Sequence, residues 1–309
     1  MEKDIRDGCP SVLLFASHTG RTERDIVVAA LDDACRRDER QPRFALQIRI
    51  GILEEIKALG FGHIGGSLSI ADALAVLYGR VMRYDAKNPR LPQRDKLVCS
   101  KGHAGPAVYA ALALKGFFPY EDLKLLNTPG TFLPSHCDKN LTPGVDMTTG
   151  SLGQGTSLAV GLALADRFRG YDSRTFLIVG DGEANEGQVW EAAMFAAAKK
   201  VTNLTWLIDA NGKQLDGPTR DVLEPFDFEE KLRAFGFDAV SIDGNDVVQL
   251  EAALTRRPIG RPIAIVMHTV KGKGVAEIEQ TAANHSMTPP QASLDRWLAQ
   301  LRAELAALN

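Results

Sequence analysis

From residue 41 onward the chain alternates two apolar patterns. Short continuous apolar runs occur at 96–100 (KLVCS), 175–179 (TFLIV), 204–209 (LTWLID), near 238–242 and at 262–268 (PIAIVMH). Their length and β-branched content predict buried strands. Between them lie segments with helical spacing. In FALQIRIGILEEIKAL the residues Ile48, Ile52, Ile56 and Leu59 fall on one face. Further helices are predicted over 70–81, over 104–116 with a stop at Gly116, and over 152–168, 188–200, 246–256 and 293–308. Ser69 with Asp72 reads as a capping box opening the 70–81 helix. Continuously apolar strands alternating with helices imply an α/β fold. The expected architecture is a doubly wound parallel sheet with helices on both faces. The stretch 127–152 is rich in Pro, Gly, Thr and Ser and is expected to be a long functional loop. Residues 1–40 are strongly charged and predict a solvated extension, a short helix followed by a linker. The domain proper is taken as 41–309.

Composition narrows the classes. The 309 residues are 45% hydrophobic and 24% charged, with a net charge of −3. That is ordinary for a soluble globular protein and gives no field to attract nucleic acid or an anionic membrane. No apolar run is long enough to span a bilayer. The opening MEKDIRDG is acidic where a signal peptide is basic, so the cytoplasm is the expected location. Cys9, Cys35, Cys99 and Cys137 form no CxxC pair, which argues against a disulfide framework or a zinc knuckle. Cys99 is expected inside a strand as a small buried hydrophobe. Cys137 is expected in an accessible loop without a catalytic role.

Candidate chemistry lies at two strand ends. Ligands of open parallel sheets bind beyond the carboxyl ends of the strands. The run at 175–179 enters Gly180-Asp181-Gly182-Glu183-Ala184-Asn185-Glu186-Gly187. The run at 204–209 enters Asp209-Ala210-Asn211-Gly212-Lys213. Glycines at a strand-to-helix turn admit close approach of a ligand, and a helix N-terminus favours an anion. An aspartate there repels an anion unless a cation lies between them. Asp181 and Asn211 are 211 − 181 = 30 residues apart, about one helix and one strand, so they can sit side by side. A carboxylate, an amide oxygen and a backbone carbonyl are hard ligands suited to Mg²⁺, with phosphate oxygens completing the shell. The glycine spacing does not fit a dinucleotide fingerprint, and no GK[ST] follows for a P-loop.

These segments resemble the thiamine-diphosphate motif in its transketolase form. GHIGGSLS at 62–69, SKGHAGPAVYAAL at 100–112 and HCDKNLTPGVDMTTGSLGQGTSLAVG at 136–161 also look like transketolase segments, in the same order. The resemblance covers roughly 41 to 290. It implies thiamine diphosphate with Mg²⁺ (or Ca²⁺) as cofactors. Asp181, Asn211 and the backbone carbonyl of Lys213 would hold the metal. Gly182 and Asn211 would also contact the diphosphate. His63 and His103 would line the site near the reacting carbons and the diphosphate. Gly150 and Leu152 would pack on the cofactor rings. His136 would face substrate hydroxyls. His285 would lie against the diphosphate and the reacting centre, and Glu186 near the cofactor and the interface between subunits. Four of the six histidines thus fall at family positions, and imidazole titrates near neutrality. His18 and His268 read as structural, Lys271 and Lys273 as a solvated turn, and Asp216 as shaping its own turn. Ala210 and the neighbours of His285 depart from the family pattern.

In that family a glutamate of a second, pyrimidine-binding domain completes the site, and nothing in this chain offers that domain. The chain therefore looks like the diphosphate-binding subunit of a two-chain transketolase, in an α2β2 assembly with a chain carrying the pyrimidine-binding and C-terminal domains. The implied reaction moves a two-carbon ketol unit from a ketose (phosphate) to an aldose (phosphate). Two alternatives stay open: the α-subunit of a 2-oxo acid dehydrogenase, and a degenerate subunit that binds a partner without turnover.

Overall fold

In a computed structural model the backbone is described for residues 23–308 and side chains from Arg40 onward. His18 and Cys9 lie outside the described residues, as does the side chain of Cys35. Contacts divide the chain into one unit ending at Arg37 and another from Asp38 to Asn309. The backbone of Glu23–Leu59 is one helix that includes Pro42; it contains the helix expected over 44–59 and continues through the stretch where a short helix and a linker were expected.

The second unit is built on a sheet of β1 (Lys96–Cys99), β2 (Thr175–Gly180), β3 (Leu204–Ala210), β6 (Asp238–Asp243) and β7 (Ile263–His268). A two-residue hairpin of β4 (Lys213–Gln214) and β5 (Gly217–Pro218) follows β3. The sheet order is β1-β2-β3-β7-β6, and every pair is parallel. Parallel strands need crossovers, which is why a helix separates most of them in sequence. Gly180 pairs with Asp209, and Ala210 with His268. The carboxyl ends of β2, β3 and β7 therefore lie level, and the polar residues that follow them share one edge.

Alternate strand residues serve two cores. Phe176, Ile178, Leu207, Ile265 and Met267 pack with the helices around Ile48–Ile56, Ala71–Val76, Gly105–Leu114 and Gln291–Ala307. Leu177, Val179, Trp206, Ile208 and Val266 pack with helices Gln154–Phe168, Gly187–Ala198 and Phe228–Phe235. Period-2 side chains that are apolar on both faces make both faces stick, so helices cover both. Ile48, Ile52 and Ile56 are fully buried, as their spacing predicts.

Two local expectations fail. Ser69 caps nothing. The helix Ala71–Val76 starts after Ile70 with no side-chain cap, and the Ser69 hydroxyl instead donates to Asp209 Oδ2 at 2.7 Å. Asp72 pairs with Arg49 and accepts from Asn245 Nδ2 at 2.8 Å. A buried hydroxyl and a buried carboxylate take the strongest partners that the tertiary fold brings near. Cys137 is buried, not accessible, because Thr149 pins its segment by a backbone bond to the Cys137 carbonyl at 3.0 Å.

Candidate active site

A cavity of about 540 Å³ opens beyond the carboxyl ends of β1, β2, β3 and β7. All the residues expected of the site reach it. His63, His103, His136 and His285 line it together with Gly150 and Leu152. Asp181, Gly182, Glu186, Asn211 and Lys213 line its other side. Among the described residues, no three His, Cys, Asp or Glu side chains are placed to hold a metal by themselves.

Four separate segments deliver the histidines, and backbone bonds tie these segments to one another. Gly62 pairs through both its N–H and its C=O with Met287, each at 2.9 Å. Gly65 donates its N–H to the Asn284 carbonyl and accepts at its own carbonyl from the Gly272 N–H, both at 3.0 Å. These bonds join the His63 loop to the His285 loop. His103 lies on the single turn Gly102–Ala104 after β1. A Cβ at Gly102 would meet Gly150 N at 2.7 Å, so only glycine lets the loop carrying His136 and Gly150 close over β1. Ring centroids of His103 and His285 are 4.6 Å apart, and His63 lies 5.3–5.6 Å from the other three.

Burial is the main cause that pushes these imidazoles below their ordinary value, with neighbouring lysines and imidazoles adding to it at His63 and His103. His285, facing Lys271, falls to about 4. The cluster is therefore neutral at pH 7 and can accept protons. The unfolded chain, with histidines near 6.5, takes up protons first on acidification. The histidine contribution to stability is thus whole above about pH 6.5 and is lost as pH falls toward about 4. Raised carboxyls such as Asp181 act in the opposite direction, so the difference between variants is the clean reading. Relative to His285→Gln, the cofactor-free chain is expected to lose melting temperature between pH 7 and 5. A constant offset over that range would contradict a depressed His285.

On the opposite wall, Asp181 is 3% exposed. It accepts from Gly182 N at 2.8 Å, Gly212 N at 2.6 Å and Thr219 Oγ1 at 3.1 Å. Burial and the charge of Asp209 push its carboxyl up to about 6. Such a site favours a cation beside it. Asn211 Oδ1 and the Lys213 carbonyl complete a set of oxygen donors. Lys271 already places a cation on one of them: its Nζ donates to Lys213 O at 2.9 Å. The donors therefore fit a hard divalent ion.

Lys271 corrects an expectation. It is no solvated turn residue but is 4% exposed in the cavity, 3.3 Å from His285 Nδ1. Burial and Lys101 pull its ammonium down to about 8. Glu183 was missed. Its carboxylate accepts from Ser100 Oγ, Gly153 N at 2.8 Å and Gly180 N at 3.0 Å. It thereby clamps the Gly150–Gly153 turn to β1 and β2. Lys101 and Asp209, buried beneath the cavity as an ion pair, were missed too. Glu186 precedes the helix Gly187–Ala198 without capping it and stands exposed at the rim.

Residues 41–297 match the model of the transketolase thiamine-diphosphate-binding domain. The chain belongs to the transketolase family. It carries that family's thiamine-diphosphate-binding domain and is a transketolase subunit, part of an enzyme. It is 50% identical over 261 residues to the 6-deoxy-6-sulfo-D-fructose transketolase subunit SqwG of Clostridium sp. (strain MSTE9), covering 83% of this chain and 94% of that protein. It is 36% identical to an apulose-4-phosphate transketolase subunit of Actinobacillus succinogenes, covering 84% and 94%. The crystal structure of Campylobacter jejuni transketolase superposes with a TM-score of 0.75 at 28% identity, over 88% of this chain and 47% of that one. The chain thus spans the length of the subunit relatives but about half of the single-chain transketolases. Among the described residues, no helix is long and apolar enough to cross a membrane.

Proposed function

We propose that this chain supplies the diphosphate half of a two-chain transketolase that moves a two-carbon ketol unit from a ketose to an aldose. The observation that carries this reading is the convergence of four neutral histidines on one cavity wall, opposite Asp181, Asn211 and the Lys213 carbonyl. The cofactor, when bound, supplies the electron sink for the transferred two-carbon unit. Asp181, Asn211 Oδ1 and Lys213 O would hold Mg²⁺ (or Ca²⁺). Gly182 and Asn211 would meet the diphosphate, where the Lys271 ammonium would add positive charge. Gly150 and Leu152 would pack on the rings.

His63, His136 and His285 face the sugar, and His103 lies behind them. A neutral imidazole takes the proton of a sugar hydroxyl as the carbon–carbon bond breaks and returns it to the acceptor's oxygen. A diphosphate anion held there would counter the burial that depresses these imidazoles. Glu186 meets the partner at the rim. The partner is a chain with the pyrimidine-binding and C-terminal domains, two copies of each chain forming the assembly.

The donor's distal group extends away from this cavity toward the partner. The 50% identity to a sulfofructose transketolase subunit favours a 6-sulfonated ketose as donor, beside the ordinary 6-phosphate. The test uses the assembly purified with its partner, thiamine diphosphate and Mg²⁺. A ketose labelled with ¹³C at C1 and C2 is offered with an aldose acceptor. Label is expected in a ketose two carbons longer than the acceptor, with an aldose two carbons shorter than the donor. Decarboxylation of a 2-oxo acid instead, or no turnover by an assembly that binds the cofactor, would overturn the reading.

A further inference from the structure

Beneath the cavity floor, Asp209 at the end of β3 is wholly buried and has four donors around it. Lys101 from the end of β1 is its ion-pair partner. Ser69 Oγ donates at 2.7 Å, the Thr269 hydroxyl donates to its other oxygen, and Asn211 Nδ2 donates at 2.9 Å.

An ionised carboxylate only accepts. The atom of Asn211 that touches it must therefore be the amide nitrogen. The other amide atom lies 3.1 Å from the Lys213 N–H, a donor, and must be the oxygen. Two independent neighbours thus give the same orientation of a group whose two ends are nearly the same shape. The oxygen keeps a second lone pair, and Asn211 lines the cavity. Without a fixed acceptor at 209, the amide could turn and show its NH₂ to a cation.

We propose that Asp209, paired with Lys101, is a positioning residue that locks the Asn211 amide with its oxygen toward the metal position before the metal arrives. This rests on the reading of Asn211 as a metal ligand given above. Ser69 and Thr269 share the anchor but do not choose the orientation.

The test is Mg²⁺ affinity at saturating thiamine diphosphate, measured by calorimetry on the assembled enzyme. Losing an outer partner of a metal ligand weakens binding about 10–100-fold. Asp209→Asn is expected to show that loss, whereas Thr269→Val loses melting temperature and keeps affinity within about threefold of wild type. The charge-conserving swap Asp209→Asn with Asn211→Asp should recover most of the affinity, because a carboxylate at 211 presents oxygen either way. A purely structural role for Asp209 predicts no such rescue. Asp209→Asn with wild-type affinity, or a folded swap no better than Asp209→Asn, overturns the lock.

If these variants do not fold, the cofactor-free wild-type chain decides. Its Asn211 side-chain N–H signals should exchange slowly with solvent and shift little when Mg²⁺ and thiamine diphosphate are added. Exchange as fast as that of an exposed asparagine overturns the proposal. If wild type binds no Mg²⁺ with thiamine diphosphate, the ligand reading fails, and the exchange rate still reports the lock by itself.

Discussion

Asp181→Ala abolishes the Mg²⁺-dependent binding of thiamine diphosphate and leaves the cofactor-free chain folded. Two opposing effects act on the empty chain. Holding a buried carboxyl at about 6 rather than its ordinary value costs the ionised form about 3 kcal/mol. The alanine removes that cost, part of which is the repulsion from Asp209. It also strands the Gly212 N–H and the Thr219 hydroxyl, at about 1–3 kcal/mol each where water cannot replace the bond. The terms are similar in size, so the melting temperature of the empty chain shifts little. The native carboxyl titrates above the unfolded one. The native state therefore holds more protons between about pH 4 and 6, and Asp181 makes the wild type less stable as pH rises through that window. The alanine variant lacks this slope. No such compensation exists for the ligand. A diphosphate beside Asp181 needs the cation, and the cation needs the carboxylate. The loss in metal affinity should exceed the 10–100-fold typical of outer-shell partners. Calorimetry with Mg²⁺ and thiamine diphosphate measures it. Retained affinity would mean that the metal lies elsewhere.

The strands and the cavity were legible in the sequence because both follow from local pattern. LVC, TFLIV and LTWLI are apolar on both faces, which only a sheet covered twice can satisfy, and the polar residues directly after them must stand at its carboxyl edge. All four histidines of the resemblance reach the cavity, His63 and His103 from short connections between elements and His136 and His285 from longer loops. What stayed hidden depends on distant partners. Ser69 obeys every local rule for a cap, yet its hydroxyl bonds to Asp209, 140 residues away. KGKG has the composition of a solvated turn, but Asn284 Nδ2 bonds the Lys271 carbonyl and Lys271 Nζ reaches Lys213. Lys101, Glu183 and Asp209 were quoted inside motifs and given no role. A charge in a motif string looks exposed until its counter-charge or hydrogen-bond donors are located. The two buried carboxylates, Glu183 and Asp209, accept from backbone turns and from the Asn211 amide beside the cavity.

The purified chain by itself shows no ketol transfer, and turnover appears only with the partner chain. The arrangement of the cavity gives the reason. Its two buried carboxylates are already engaged: Asp181 is bonded to Gly182, Gly212 and Thr219, and Glu183 to Ser100, Gly153 and Gly180, while Glu186 and Asp216 line the cavity nearer solvent. Neither buried carboxylate is free to act on the ring end near Gly150 and Leu152. At the mouth, Leu152, Leu215, Val222 and Leu223 are exposed, with Leu215 at 67%. Apolar side chains around the rim of a polar cleft mark a surface to be covered. While they face water, solvent reaches the histidines, screens their interactions and competes for any carbanion. On the proposed reading, covering the rim would exclude water and would bring the partner's acid–base group to the ring end. Uncatalysed background is therefore expected from the chain alone even at saturating thiamine diphosphate and Mg²⁺, with a rise of several orders of magnitude in the assembly. The assay is ketol transfer by the chain, by the partner, and by the two mixed at increasing ratio. Activity should saturate once the chains are equimolar. Steady turnover by the chain alone would show that its own residues supply the ring-end chemistry, and the carboxylates assigned to the diphosphate side would then need new roles.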